Sequence, residues 1–388
     1  MKTTLVIGGG IAGPTLAMFL QRAGHRPIVY EARPAPDDGA GAFLNLAPNG
    51  LAVLETLGIA DLVRRSGTVT RALEFQNHRG QRIGSFPATT TLIKRGVLQR
   101  ALRQAALEHG VQFEFGKRLQ GILSPPRGGA VARFEDGTEA AGDLLVGCDG
   151  IHSAVRRLIL PDVPSPEYTG DIDTGGFGRA PAGLAADGIM RMVFGQRGFF
   201  GYQVVPSGEA FWFQNLHQPI EPDRQELAAI APDEWRRRLL AIHAGDDAPI
   251  AEILGAGAEA VGRWPIYDLP TLPTWHRGPM CLIGDAAHAT SPHAGQGASL
   301  ALEDAIVLAR ALRDVPDPER AFALFEAQRR SRVERLVREA RRQGRRKVAA
   351  NPVSRRVRDL VLPLFLRLGT RSLREVYDYR VNWESRAA

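Results

Sequence analysis

The sequence predicts an α/β fold with α+β elements, in which a Rossmann-like nucleotide-binding domain carries an inserted antiparallel-sheet domain and is followed by C-terminal helices. Three observations predict this class. A glycine-rich turn joins a strand to a helix at the N-terminus, strands with aromatic side chains follow between residues 190 and 216, and long helical patterns occupy the region after residue 297.

Composition narrows the class of protein further. Of the 388 residues, 44% are hydrophobic and 23% are charged, which is typical of a globular protein with a sizeable core. No apolar run approaches the roughly 18 residues of a membrane span, and the N-terminus lacks the pattern of a signal peptide. The two cysteines, Cys148 and Cys281, cannot build a disulfide framework or a CxxC metal site. We therefore expect a cytoplasmic protein without a metal centre or a membrane partner.

The net charge of +7 is confined to one segment. Residues 316–358 contain 13 Arg and one Lys against five acids, so the rest of the chain is nearly neutral. Within this segment Val333, Leu336, Val337 and Ala340 follow helical spacing, which predicts one apolar face and arginines on the other. A solvated helix face explains this pattern better than a polyanion site, so no nucleic-acid partner is expected.

The N-terminal region predicts the opening of a doubly wound sheet. Residues 3–8 predict a buried strand, 14–23 a helix and 27–31 a second strand, which together make a βαβ unit. The further elements expected in this region are helices at 50–57 and 97–109 and strands at 111–115, 130–134 and 143–147.

The composition of the sequence changes between residues 165 and 270, where Gly, Pro and aromatic residues become more frequent. Alternating stretches predict an antiparallel sheet with strands at 190–194, 199–205 and 210–216. A strand at 279–284 then returns to the first domain, and helices are expected at 297–313 and 317–343. The expected domains are a discontinuous nucleotide-binding domain (1–165 and 270–345), a substrate-binding domain (166–269) and a C-terminal helical segment (346–388).

The N-terminal turn has the spacing of a dinucleotide-binding motif. Gly8, Gly10 and Gly13 form GxGxxG between a strand and a helix, and Glu31 closes the next strand. Such glycines let the backbone approach a pyrophosphate at a helix N-terminus, and an acid at this spacing accepts hydrogen bonds from ribose hydroxyls. The motif predicts dinucleotide binding without deciding between NAD and FAD.

Two later motifs carry a family resemblance. Residues 149–156 spell DGIHSAVR, and residues 284–297 contain GDAAH followed by Pro292 and GQG. With the N-terminal turn, these motifs occur in the order found in FAD-dependent aromatic hydroxylases, and the chain resembles these para-hydroxybenzoate hydroxylase-like flavoprotein monooxygenases over nearly its whole length. The stretch 41–46 also resembles a loop of the tetracycline-inactivating monooxygenases, although Asn45 stands where they carry an acid.

The resemblance implies FAD as cofactor, NADPH or NADH as co-substrate, and a monomer or homodimer. It also implies hydroxylation of an aromatic or polyketide-like small molecule by molecular oxygen through a flavin C4a-hydroperoxide, in preference to ring-expanding insertion. The residues expected at the cofactor are Gly8, Gly10, Ala12, Gly13, Glu31, Arg33, Arg95, Asp149, Arg156, Asp285, Gly295, Gly297 and Ala298.

Substrate and catalytic residues are expected in the aromatic strands and beside the last motif. Tyr202, Phe213, Gln214 and His217 are the candidates for substrate contacts, with Tyr202 as the hydroxyl nearest the reaction. Pro292 and His293 lie in the turn expected beside the flavin ring, whereas His288 is expected to be structural and to bond to backbone.

Three alternatives stay open at this stage. A flavin-dependent halogenase is disfavoured because the five tryptophans never form WxWxIP. An FAD-dependent reductase of the geranylgeranyl-reductase type, without oxygen transfer, fits the same cofactor motifs. A basic binding protein with a vestigial nucleotide fold would carry no flavin.

Overall fold

The computed structural model describes residues 1–39, 41–126, 128–256, 262–344 and 352–387. Its strands are β1 Thr3–Ile7, β2 Arg26–Glu31, β3 Phe43–Leu46, β4 Thr68–Asn77, β5 Arg82–Lys94, β6 Gln112–Phe115, β7 Leu119–Leu123, β8 Ala130–Phe134, β9 Glu139–Gly142, β10 Leu144–Gly147, β11 Glu167–Arg179, β12 Ile189–Phe194, β13 Phe199–Val204, β14 Glu209–His217, β15 Gly262–Asp268, β16 His276–Arg277 and β17 Met280–Leu282. Its helices are α1 Ala12–Arg22, α2 Pro48–Leu57, α3 Ala60–Ser66, α4 Arg95–Glu108, α5 Ala154–Ile159, α6 Arg224–Ala229, α7 Pro232–Ile242, α8 Ile250–Gly255, α9 Asp285–His288, α10 Gly297–Asp314, α11 Pro318–Gly344 and α12 Pro352–Tyr377.

The first sheet is the nucleotide-binding sheet that the N-terminal pattern predicts. Its strand order is β16-β17-β10-β1-β2-β6, and β1 pairs in parallel with both β2 and β10. The strands are short apolar runs because helices cover them, and α1 and α10 pack against each other beside β1. The glycine turn after β1 and the GDAAH motif after β17 therefore emerge at the same carboxyl edge of the sheet.

The second sheet has the order β15-β11-β14-β13-β12-β4-β5-β3. It contains the predicted antiparallel strands, but β3, β4 and β5 also belong to it, so residues 43–94 contribute to both parts of the molecule. The expected boundary at residue 165 therefore does not separate the two sheets. The sequence analysis predicted no strand at β4 or β5, because polar residues are frequent in both.

This second sheet is covered on both faces. One face, here called the far face, packs against α7 and α8 and forms a core of its own with Phe200, Trp212 and Trp235. The opposite face, here called the cleft face, looks towards the first sheet. A small third sheet, β7-β8-β9, completes the architecture.

The long C-terminal helices pack over the cleft side, with α12 against β5. The apolar stripe predicted for α11 is confirmed, since Val333, Leu336 and Ala340 are buried. The arginines differ from the prediction, because Arg329 and Arg332 are also buried rather than solvated. No helix in the described part of the chain is long and apolar enough to cross a membrane.

Candidate functional site

One elongated cleft of about 2190 Å³ runs between the two sheets. Glu31, Asp285 and the cleft face of the second sheet all line it. Two motifs that lie more than 250 residues apart in sequence therefore contribute to one cavity, because their strands end at the same edge of the first sheet.

The three motif glycines have different tasks. Gly8 has a φ of +112°, and a Cβ there would come within 2.5 Å of the Cys148 carbonyl oxygen. A Cβ on Gly13 would lie 1.9 Å from the Gly8 carbonyl oxygen, so Gly13 lets α1 pack against β1. A Cβ on Gly10 would have, among the described residues, only the Gln99 side chain as close as 4.0 Å. Gly10 therefore leaves room for a ligand at the N-terminus of α1, which begins at Ala12 in the cleft wall.

Glu31 closes the adenosine end of the predicted site. Its Oε2 accepts a hydrogen bond from the Gly9 amide at 2.8 Å, and its Oε1 accepts one from the Arg33 amide at 3.0 Å. These bonds fix the carboxylate at the cleft edge with acceptor capacity left for hydroxyl groups. Arg33 and Arg95 also line the cleft and supply positive charge beside it.

The last motif forms the middle of the cleft wall. Gly284 adopts a φ of +58°, which turns the chain from β17 into the short helix that begins at Asp285. The following turn presents Pro292, Gly295, Gly297 and Ala298 to the cleft, and α10 begins at Gly297. A Cβ on Gly295 would meet no described atom within 4 Å, so this turn is open towards the cavity.

Asp149 and Arg156 both form hydrogen bonds within the protein, and of the two only Asp149 lines the cleft. Asp149 accepts hydrogen bonds from the Ser153 hydroxyl at 2.5 Å and the Ala154 amide at 2.7 Å, which caps α5. Burial raises the pKa of Asp149 in spite of these bonds. Arg156 is buried and donates to the carbonyls of Ala286 at 2.9 Å and Ile151 at 2.6 Å, so it ties the second motif to the third and does not line the cleft.

A buried network of charges that the sequence reasoning missed supports the same wall. Asp304 accepts hydrogen bonds from the Gly284 amide at 2.9 Å and Arg329 Nε at 2.7 Å, and its Oδ2 lies 2.5 Å from His288 Nε2. Burial alone would raise the pKa of Asp304, but the charges and hydrogen bonds of His288 and Arg329 lower it to about 2. His288 is structural as expected, although its partner is this carboxylate and not backbone.

The network continues to the start of α10. Glu303 pairs with Arg332 through two contacts of 2.8 and 2.9 Å, and it accepts a hydrogen bond from Asn49 at 2.7 Å. Asn49 also donates to Gln296, inside the GQG turn, at 2.9 Å. The available signal was the acidic pair at 303–304 within the otherwise apolar stretch 300–309, since buried carboxylates need partners.

The second sheet presents a row of aromatic rings to the cleft, here called the aromatic wall. Successive ring centroids lie 5.1 to 6.3 Å apart along it. Its members in order are Phe43, Phe213, Phe199, Phe194, Phe75 and Phe86. Phe213, one of the predicted substrate residues, lies in this wall. Phe199 comes from the neighbouring strand β13, and the other rings come from β12, β4, β5 and β3.

Two of the predicted substrate residues lie on the far face. Tyr202 packs in the core under α7 and α8, and burial raises the pKa of its phenol. Gln214 is fully buried and stands across from Phe200 and Thr174 on that face. The reason is strand alternation, which sends both residues away from the side on which Phe199 and Phe213 lie.

The two candidate histidines meet at one carboxylate. His217 is exposed at the end of β14, outside the cleft wall, and its Nδ1 lies 3.1 Å from Asp171 Oδ1. His293 lines the cleft, but its side chain is 2% exposed and its Nε2 lies 3.6 Å from the other oxygen of Asp171. The two histidines lower the pKa of Asp171 although its burial acts in the opposite direction.

These features fit FAD. The space beside Gly10 accepts a pyrophosphate, the carboxylate of Glu31 accepts ribose hydroxyls, and the open turn at 292–298 with the N-terminus of α10 suits an electron-accepting ring. The cleft is also long enough to leave the aromatic wall for a second molecule.

Comparison with known proteins identifies the family. The FAD binding domain family matches residues 1–340. The chain belongs to this family. Among curated relatives, the aurachin C monooxygenase/isomerase of Stigmatella aurantiaca is 33% identical over 345 residues, which are 86% of this chain and 87% of that protein. The 3-amino-4-hydroxybenzoate 2-monooxygenase PtnB3 of Streptomyces platensis is 33% identical over 379 residues, covering 94% and 93% of the two chains.

Solved structures agree with this assignment. The flavoprotein HpxO of Klebsiella pneumoniae, complexed with FAD and uric acid, superposes with a TM-score of 0.84 at 28% identity, covering 97% of this chain and 96% of that one. A tetracycline destructase shares the fold with a TM-score of 0.72 at 20% identity, covering 95% and 97%. The flavoprotein described here is therefore an FAD-dependent monooxygenase with NAD(P)H as co-substrate, which confirms the predicted fold class, cofactor and type of enzyme. The relatives do not support the reductase alternative.

The placement of Tyr202 leads to a direct prediction. Tyr202→Phe should leave the FAD content and the rate of product formation within about twofold, because the lost hydroxyl faces the core under α7 and α8. Phe199 lies on the same strand but on the cleft face. Phe199→Ala should therefore lower the turnover of any aromatic substrate about tenfold or more by removing a ring from the wall. Steady-state kinetics of both variants test this, and a Tyr202→Phe enzyme with severely reduced turnover would contradict it.

Proposed function

We propose that this flavoprotein hydroxylates a planar aromatic or polyketide-like small molecule that lies against the aromatic wall. The observation that carries the proposal is the continuity of the cleft, in which the motif residues and Phe213 line one cavity. We call the part between the cleft face and α12 the substrate chamber. The named relatives act on related compounds, among them 3-amino-4-hydroxybenzoate and 6-hydroxynicotinate.

The residues present would hold FAD in an extended form. Glu31 would accept the ribose hydroxyls, Gly10 would leave space for the pyrophosphate, and Asp285 would accept hydrogen bonds from the ribityl chain. The N-terminus of α10 would stabilise negative charge on the pyrimidine edge, and Arg95 would add fixed positive charge near the phosphates. When bound, FAD supplies the redox chemistry that transfers electrons from NAD(P)H to oxygen and one oxygen atom to the substrate.

The chain's own part in the reaction is to position the substrate and to exclude water. The rings of the aromatic wall offer stacking and edge contacts to a planar molecule, and the side chains of Asn45 and Asn215 line the cleft beside them. A substrate that displaces water from the chamber would limit the wasteful breakdown of reactive oxygen species before the substrate is reached. Pro292 and His293 stay candidates for residues beside the reacting ring.

Oxygen stoichiometry tests the proposed function. Purified FAD-loaded protein is mixed with NADH or NADPH and with a panel of phenols, aromatic acids and polyketides in ¹⁸O₂. We expect at least one compound to stimulate NAD(P)H oxidation and oxygen uptake and to gain one ¹⁸O atom. A product that is reduced without oxygen uptake, or NAD(P)H oxidation that yields only hydrogen peroxide with every compound, would contradict hydroxylation of this substrate class.

A further inference from the structure

A cation lies over one ring of the aromatic wall. Arg358, on α12, places its guanidinium carbon 4.6 Å from the ring centroid of Phe194. Its side chain lines the cleft and is 13% exposed. Arg358 is thus a largely buried charge in a chamber whose other walls here are mostly apolar, and such a charge requires partners.

Among the described residues, only part of that guanidinium has a hydrogen-bond partner. Its Nε and Nη2 donate to Asp359 Oδ1 at 3.0 and 2.8 Å. Its Nη1 is buried and meets no hydrogen-bond acceptor in the part of the chain that the structure describes. Asp359 therefore holds one edge of the planar fork and fixes its orientation, while the N–H groups of Nη1 are left for another acceptor.

We propose that Arg358 anchors the substrate through an ionised oxygen, a carboxylate or an acidic phenol, on the ring system that lies against the aromatic wall. This inference rests on the proposed function and specifies its substrate class. An oxygen acceptor on Nη1 would remove the cost of a buried N–H without a partner and would form a charge-assisted hydrogen bond. A neutral ring without such an oxygen would leave that cost in place.

The rings beside Arg358 also favour an extended planar substrate. Ring contacts lead from Phe213 through Phe199 to Phe194, and Arg358 lies over the last of them. A planar molecule held by Arg358 can therefore pack along several of these rings. A fused system of two or more rings fits this span better than a single benzoate ring.

Equilibrium binding to the FAD-loaded protein, without NAD(P)H, tests the anchor. The probes are 3-hydroxy-2-naphthoate and anthraquinone-2-carboxylate with their carboxamides, 2-hydroxyanthraquinone for the acidic phenol, and benzoate as a short acid, each followed by the change in flavin absorbance. We expect at least one fused-ring acid or phenol to bind about tenfold more tightly than its neutral counterpart (for the phenol, anthraquinone) and than benzoate.

Variants then assign the preference to one side chain. Arg358→Met should weaken the preferred anion about 10- to 100-fold and leave its neutral counterpart within twofold, and Arg358→Lys should restore part of the loss. Arg356→Met, an exposed arginine on the same helix, is the matched control and should change nothing. Unchanged flavin content and melting temperature show that each variant is folded.

The contradicting outcomes are separate from those of the proposed function. Failure of every anion to bind in the millimolar range, equal binding of anions and neutral counterparts, or a preference that survives Arg358→Met would each overturn the anchor. Hydroxylation of a neutral compound would leave the proposed function standing and the anchor refuted. Tight, Arg358-dependent binding of an acid without oxygen transfer would support the anchor and contradict the proposed function.

Discussion

Gly10→Val protein is expected to purify without its yellow colour and to bind added FAD about 100-fold more weakly than the parent protein. The open space at Gly10 lies at the N-terminus of α1, where no described atom would come closer than 4.0 Å to a Cβ on this residue. A branched side chain would occupy the volume that a pyrophosphate needs, and it would keep the phosphates from the backbone amides. Titration of the apoprotein with FAD, followed by fluorescence quenching, measures the loss.

A matched substitution separates this effect from simple destabilisation. A Cβ on Gly121, in β7, would also meet no described atom within 4 Å, but this residue lies outside the cleft. Gly121→Val should therefore retain FAD. Stoichiometric FAD in purified Gly10→Val protein would show that the cofactor does not lie against this turn.

Arg329→Met should lower the free energy of unfolding by about 3–5 kcal/mol, since it leaves two buried carboxylates without their common partner. Arg329 Nε lies 2.7 Å from Asp304, and its Nη1 lies 2.6 Å from Glu303. Denaturation in urea, monitored by circular dichroism, measures the change. Arg338→Met is the control, because Arg338 is exposed and its pair with Glu334 is 3.8 Å long; it should cost at most about 0.5 kcal/mol.

The same network predicts the pH dependence of stability. Folding lowers the pKa of Asp304 from 3.8 to about 2, so the carboxylate binds fewer protons in the folded state. Its contribution is therefore complete above about pH 4 and is lost as the pH falls towards 2. Asp304→Asn should flatten this part of the stability profile, and an unchanged acid limb would contradict the role of Asp304.

The cofactor half of the site could be predicted from sequence because its signals are local. Gly8, Gly10 and Gly13 need their spacing within a single turn, and Glu31 follows from the length of one βαβ unit. The pairing of β1 with β10 and of β10 with β17 was also accessible, since parallel strands in such a sheet place successive motifs at one edge.

The substrate half depended on information that the sequence does not contain. Alternation shows that Phe199, Gly201 and Phe213 can share a face, but it does not show which face meets the cofactor. Since the second sheet is covered on both sides, Tyr202 is as buried as Phe199, and alternation alone does not decide between them. The buried state of Arg156 and Arg329 likewise depends on carbonyls and carboxylates from distant segments.

A crystal structure of the FAD-loaded protein tests the central claim most directly. It should show one FAD molecule with its adenosine ribose at Glu31, its pyrophosphate at Gly10 and its ring system between the 292–298 turn and the aromatic wall. Electron density for the ring on the far face beside Tyr202, or for FAD that contacts Glu31 without reaching Asp285, would contradict it.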